Sequence, residues 1–543
     1  REISRAYGKP YDKIFMRMLK WNAKLNKSEW EIYIPGSTIK GAFRKRASQI
    51  LNTLIDDSKK IQPLLALLFG AQGRIGKIFF SDAYLTDPLD HGKAWCSSDG
   101  IRMNPHTGKP FDNSKRDYLF AYGKDLKFHF GIDIQDIHEG DLEGISLLWH
   151  LILDFQKGDI PIGGDRNSGF GWVKGEVSKL TWLAGKEDVI TRRLFGNQTL
   201  TPNGIWQELK LQNSDARKTL KPFQNISNKT KKPLEILRGN AGFISHKAYG
   251  GLCGSLLVEA EVLSPLTIRE SGSPSYTTQI DGVVVNGWDF FSFSPPSSKE
   301  RTKDRLYALP SKSIKGALRH IYSIASDSKK ESQNLGDLNP TDSLFGWVGQ
   351  GPGNALAGRI SISYGKFETP EISWFTAPHF YGHWQYVQNQ WLENPESAAK
   401  KTIIDDYWRI FPHSPLIPDV SKIGGFETKD PNDGYFRAVM PGSKVQFSVR
   451  FWNLLDEELQ RLIWCIGLEP NLAHKMGNKR YIGFGGIRFK IKPSSFFINW
   501  FKKYSSEDED KEWQEPIDIK NWINPNVIGH YQDLKRELNA DCL

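Results

Sequence analysis

Apolar and polar residues alternate in EIYIP (Glu31 to Pro35), which predicts a short strand stopped by a proline turn. The next run, STIKGAFRKRASQILNTLI, spaces its apolar residues three and four apart, so a helix is expected with Ser37 or Thr38 as cap. GKIFFSDAYL and KFHFGIDI read as further strands, EGISLLWHLILDF as an amphipathic helix, and GFGWVKGEVSKL as a closing strand. The same order returns later in SLLVEAEVLSPLTI, YALPSKSIKGALRH, GRISISYGKF, KVQFSVRFW, DEELQRLIWCIGL and GFGGIRFKIK. The pattern is therefore β-α-β-β-α-β, written twice.

Spacing supports the duplication. The proline turns at Pro35 and Pro310 are offset by 275, and the Leu-Phe-Gly steps at Gly70 and Gly346 by 276. The Gly-Phe-Gly loops at Gly169 and Gly483 are offset by 314, so the second copy carries an insertion of about 38 residues around FTAPHFYGHWQYVQNQWLEN and the polar stretch after it. The expected fold class is α+β, with two tandem ferredoxin-like or RRM-like domains carrying inserted loops. Expected boundaries are 1–179, a connection at 180–254, a second domain at 255–498 and a charged, peripheral extension at 499–543. Copy one shows no opening strand and the chain begins with Arg1, so further residues are expected upstream.

A chain of 543 residues exceeds one core, and 25% charged with 39% hydrophobic residues is an ordinary globular composition. The net charge of +10 favours a polyanionic partner. The four cysteines are far apart with no CxxC pair, so no zinc site or disulfide framework is signalled. No apolar run is long enough for a membrane span, and a cytoplasmic location is expected.

In each copy two cations share a helix face next to the proline turn: Lys40 with Arg44, then Lys315 with Arg319. With Ser37, Arg46, Ser311 and Lys312 close by, each helix start reads as a phosphate site. The loop GGDRNSGFGWVKG has no Gly-Lys-Ser/Thr and is followed by a strand, so it is neither a Walker loop nor a dinucleotide fingerprint. Gly163 and Gly164 suit close approach of an extended ligand, with Arg166 and Asn167 as contacts; Lys475, Lys479 and Arg480 serve in the second loop.

In combination, the PGSxIKGxxR turn, the LFG step, the GRI strand and the GGxxxxGFGW loop resemble the RAMP (repeat-associated mysterious protein) superfamily. They are similar to the crRNA-binding backbone subunits of type III CRISPR effector complexes, here two fused in one chain as in type III-D-like systems. Single-chain type III-E effectors are longer and carry cysteine clusters that this sequence lacks. The resemblance implies crRNA, target RNA and neighbouring effector subunits as partners. It also implies a metal-dependent endoribonuclease that cuts target RNA opposite an essential aspartate, leaving a 2′,3′-cyclic phosphate. That position falls on Asp281 in IDGVVVNG and, with poorer neighbours, on Asp12 in PYDKIF; both would bind Mg²⁺, and a turn aspartate is the alternative reading of each. Thumb segments are expected at Arg102, His106 and Thr107, and at Tyr381, His383 and Trp384 as stacking surfaces. Two rival readings remain: a guide-RNA-processing nuclease using His106, His379, His383 or His474, and a non-catalytic scaffold.

Overall fold

The computed structural model describes residues 11–22, 26–86, 95–122, 126–183, 206–208, 243–272, 274–293, 305–378, 384–387, 389–393, 402–426, 430–505 and 513–543. Tyr381, His383 and His379 lie outside the described residues, as does most of the expected connection.

Copy one runs β1 (Arg17–Asn22), β2 (Lys27–Ile34), α1 (Gly36–Leu54), α2 (Ser58–Phe69), β3 (Ile78–Phe80), β4 (Ala83–Leu85), β5 (Trp95–Gly100), β6 (Arg116–Ala121), β7 (Phe128–His129), β8 (Ile132–Ile134) and α3 (Leu142–Gln156). Ile39, Phe43, Ala47, Ile50 and Leu54 of α1 face α3 and form the centre of its core.

Copy two opens with β9 (Leu252–Val262), a little before the expected boundary, followed by β10 (Tyr276–Ile280), β11 (Val283–Trp288), β12 (Leu306–Leu309) and α4 (Ser311–Ala325). Then come α5 (Pro340–Phe345), β13 (Gly346–Val348), β14 (Ala355–Ala357), β15 (Ile360–Ile362), β16 (Gly365–Lys366), β17 (Ile372–Pro378), β18 (Ser421–Ile423), β19 (Asp433–Val439), β20 (Lys444–Leu454), α6 (Asp456–Gly467), β21 (Gly486–Ile491) and α7 (Trp500–Ser505). Within the main sheet β21 pairs with β9, β9 with β20, and β20 with β15 and β16, all antiparallel. Counting one opening strand, two middle strands and one closing strand, the order is 4-1-3-2, with α4 and α6 packed together. A second sheet, β10-β11-β19-β17-β18, carries the insertion.

Two expectations change here. GFGWVKGEVSKL forms no strand in copy one, because no described strand occupies the place that β9 takes beside β21, and an unpartnered segment has no ladder to join. The C-terminal extension is not peripheral: Trp500, Phe501 and Tyr504 lie in the core of copy one, while Ile517, Ile528 and Leu534 lie in that of copy two. Aromatic residues at positions 500, 501 and 504 share one side of α7, which the charged stretch around them conceals in the sequence. The charged segment 506–512 itself lies outside the described residues.

The copies are joined through the β5–β6 hairpin. Cys96 belongs to the core of copy two, Tyr122 stacks on Phe293 at 4.0 Å, and Phe120 meets Phe293 and Tyr364 edge-on or stacked. Each buried aromatic contributes roughly 1.5–3 kcal/mol by area, so the two copies form one continuous apolar unit.

A candidate nucleic-acid interface at the junction

Equivalent parts of the two copies share a wiring. Arg44 donates to the Gly70 carbonyl at 3.0 Å, and Arg319 donates to the Gly346 carbonyl at 3.0 Å. The repeated arginine therefore closes the end of the Leu-Phe-Gly helix, a task not visible in a local motif. Lys77 pairs with Asp141 at 2.6 Å, and its counterpart Arg359 with Glu458.

The helix starts do not form two open phosphate sites. In α1 the Gly36 N–H is bonded at 2.7 Å by the Asp82 carboxylate, which would repel an anion; neither Ser37 nor Thr38 caps the helix. In α4 Ser311 is fully buried and donates to the Ser168 carbonyl of copy one. Arg46 is likewise not a surface cation. It is 5% exposed, bonds Asp154 at 2.7 Å and Tyr249 at 2.5 Å, and its position falls on the α1 face that carries Phe43 and Ile50. Lys40 remains half-exposed, with no ion-pair partner among the described residues.

The glycine loop of copy one instead meets the helix of copy two. Asn167 donates to the Gly358 carbonyl at 2.9 Å, and Ser361 donates to the Arg166 carbonyl at 2.7 Å. Gly169, at φ +79°, leaves room for the Ile362 carbonyl, which would stand 2.8 Å from an added Cβ. At the equivalent place in copy two, Gly483 receives the Pro415 carbonyl (2.3 Å from an added Cβ), and the Ile482 carbonyl accepts from the Ile417 N–H at 3.3 Å. The insertion of copy two thus occupies on its own loop the seat that copy two takes on the loop of copy one.

Between the copies lies a groove of about 1140 Å³. Copy one contributes Lys45, Lys157, Arg166 and Lys174, and copy two contributes Lys315, Arg319 and Arg450. Its two acids are already paired, Asp159 with Lys503 at 2.5 Å and Asp165 with Lys13 at 2.9 Å. Trp172, Trp347, Trp452, Trp500 and Trp513 line the same space. Gly163 and Gly164 border it with nothing within 4 Å of an added Cβ, so the backbone is open to close approach. Burial, then the neighbouring Arg319, lowers Lys315 to about 8, and burial with Arg166 lowers Lys45. Crowded, poorly hydrated cations over aromatic faces suit a strand of phosphates and bases.

Of the predicted site residues, the groove gathers Arg46, Gly163, Gly164, Arg166, Asn167, Lys315 and Arg319, with Arg46 buried in its wall. Lys312 stands 2.9 Å above the Tyr118 ring, and burial lowers it to about 7. In the second loop Lys475 donates to the Pro412 carbonyl at 2.5 Å, while Lys479 and Arg480 lie over Phe436 and Phe411. Lys475 and Arg480 thus face the inserted segment, and none of the three lines the junction groove. Sequence reasoning missed Lys45, Arg450 and the tryptophans.

Two of the expected thumb residues, His106 and Thr107, meet copy two. His106 Nδ1 lies 3.3 Å from the Tyr407 carbonyl, the Thr107 carbonyl accepts from Arg409 at 2.7 Å, and Arg102 is exposed over Phe111. Trp384 donates to Asp419 at 2.8 Å. His474 is 1% exposed and burial lowers it to about 4, which removes it from acid–base work near neutrality.

Asp281 stands exposed at the tip of the β10–β11 hairpin, with φ +49° at Asp281 and +80° at Gly282. Two positive φ values at an Asp-Gly pair define a type I′ turn. Asp12 is placed differently: Lys13 bridges Tyr118 in parallel, and the Asp12 carboxylate accepts from the Asp117 N–H at 2.8 Å. Among the described residues, the group of three side chains arranged to hold a metal is Asp327, Asp405 and His530, which includes neither aspartate. Lys329 already pairs with Asp405 there. At Asp281 the chain offers one exposed carboxylate, a donor set that fits only a largely hydrated hard cation.

The family model for the RAMP superfamily matches residues 23–174 and 259–524, more than half of the chain and one segment in each copy. The chain belongs to the RAMP superfamily. No curated protein matches it. A solved chain titled "Type IV-B CRISPR Complex" aligns with 44% of this RAMP protein and 91% of its own length, at 13% identity and a TM-score of 0.23. Among the described residues, no helix of this RAMP protein is long and apolar enough to cross a membrane.

The buried lysines make stability depend on pH. Lys312 at about 7 and Lys315 at about 8 lose protons in the folded state well before they do in the unfolded chain, near 10.4. Between these limits the unfolded state binds more protons, so stability rises with pH from about 7 towards 9. Urea midpoints should climb across that window, and Lys312→Met should flatten the climb. A midpoint independent of pH in both proteins would contradict these lysine environments.

Proposed function

We propose that this protein is a crRNA-binding backbone subunit of a CRISPR effector complex, of the type III kind, and that its two domains hold one RNA strand along their junction. The observation that carries this reading is the groove, where cations from both copies surround tryptophan faces and an open glycine backbone. Such a surface binds a strand by its phosphates and stacks its bases without reading their sequence. The 4-1-3-2 strand order supports a ferredoxin-like fold for copy two.

Cleavage of the paired target is assigned to Asp281. Its hairpin belongs to the sheet that carries the inserted thumb, so the carboxylate projects from the element that would meet a guide–target duplex. Mg²⁺ held by Asp281 would supply charge stabilisation at the scissile phosphate. The protein's own part is to fix the strand in the groove and hold it in line. A scaffold reading is favoured by one observation: the Asp-Gly turn accounts for Asp281 by conformation alone.

One experiment separates them. The effector complex purified through this chain is incubated with labelled target RNA and Mg²⁺. Asp281→Ala should abolish a cut while guide binding is kept. Unchanged cuts would remove the catalytic assignment, and no cut in the parent complex would leave the scaffold.

A further inference from the structure

Two hydrogen-bond donors at the floor of the groove are buried without acceptors. Arg46 spends Nε on Asp154 and Nη1 on Tyr249, but its Nη2 has no partner although the residue is 5% exposed. Trp500 is 9% exposed and its Nε1 is also unpartnered. Both residues line the groove, and the guanidinium lies 4.9 Å from the Trp500 ring centroid. The Trp500 ring is held flat by stacking on Tyr249 at 4.0 Å. Buried indole and guanidinium N–H groups ordinarily find acceptors, so two in one place mark a position for an acceptor-bearing group.

From this geometry we infer that the junction groove is a pocket for one extruded nucleotide, its base edge accepting from Arg46 Nη2 and Trp500 Nε1 and its phosphate held at the cationic rim. The inference rests on the RNA-binding reading and deepens it. The base is the part that supplies what the floor lacks: ring oxygens and nitrogens as acceptors, on a flat apolar body that fits between aromatic walls. A phosphate alone would stay at the rim, where Lys45, Arg166 and Lys315 stand. Trp347, on the β13–β14 hairpin at the edge of the groove, supplies a wall on the copy-two side.

The test uses the full chain and small probes. Guanosine and uridine 5′-monophosphates should quench tryptophan fluorescence saturably and compete with a single-stranded RNA oligonucleotide, whereas ribose 5-phosphate should do so far more weakly. Trp500→Phe keeps an aromatic ring, though a smaller one, and removes the donor; it should weaken nucleotide binding roughly three- to tenfold, the worth of one hydrogen bond. Trp347→Ala, on an accessible hairpin, should weaken it on the order of tenfold and keeps the test decisive if the core variant folds poorly. Ribose 5-phosphate competing as well as the nucleotides would overturn the pocket, as would unchanged affinity in both variants. RNA binding that survives those results yet falls on charge reversal at the rim would leave the groove reading standing. RNA binding indifferent to the rim would defeat that reading itself.

Discussion

Arg359→Met should destabilise the protein by about 3–5 kcal/mol, the usual consequence of removing one partner from a buried ion pair. Arg359 is 0% exposed, and its Nη1 donates to the Asn453 carbonyl at 2.6 Å and to Glu458 at 2.7 Å. Nη2 reaches Ser343 Oγ at 3.0 Å and Nε the Ser343 carbonyl at 3.2 Å. Methionine fills part of the volume but satisfies none of these acceptors, and Glu458 is left charged at 9% exposure. The counterpart Lys77 in copy one pairs with Asp141 at 2.6 Å and with the exposed Asp136 at 3.8 Å, and its side chain is 15% exposed, so Lys77→Met should do less harm. Urea denaturation followed by fluorescence compares the two. A smaller loss for Arg359→Met than for Lys77→Met would contradict this ranking.

The double variant Lys45→Glu/Lys315→Glu should lower affinity for single-stranded RNA on the order of a hundredfold near physiological salt. These lysines reach the groove from opposite copies, so the pair tests whether one strand touches both. Each lost phosphate contact should flatten the plot of log affinity against log salt by roughly 0.7 for a single strand. Lys40→Glu is the control: it occupies the equivalent helix position in copy one but does not line the groove. Equal losses for the control and the double variant would place RNA elsewhere.

Much of the fold was legible because duplication leaves marks that single domains do not. The turn at Pro35 and Pro310, the Leu-Phe-Gly step and the Gly-Phe-Gly loop each mark a backbone constraint, and such constraints repeat in register. The site was harder to read. Arg44, Lys45 and Arg46 are consecutive, so helix geometry sends them about 100° apart: one to a carbonyl, one to the groove and one into the core. Only the pattern of apolar neighbours at 39, 43, 47 and 50 could have separated them, by placing Arg46 on the inner face. The tryptophans were not legible as a set, because Trp172, Trp347 and Trp500 are far apart in sequence and converge only when the copies dock. Asp281 and Asp12 match by sequence offset, but Asp281 stands at a hairpin tip whereas Asp12 accepts from the Asp117 backbone.

The insertion seated on the second glycine loop closes it to the contact that the first loop makes. The Pro415 carbonyl stands at Gly483 where the Ile362 carbonyl stands at Gly169, and Ile417 bonds the same loop. Two loops written almost alike in the sequence therefore turn different surfaces outward.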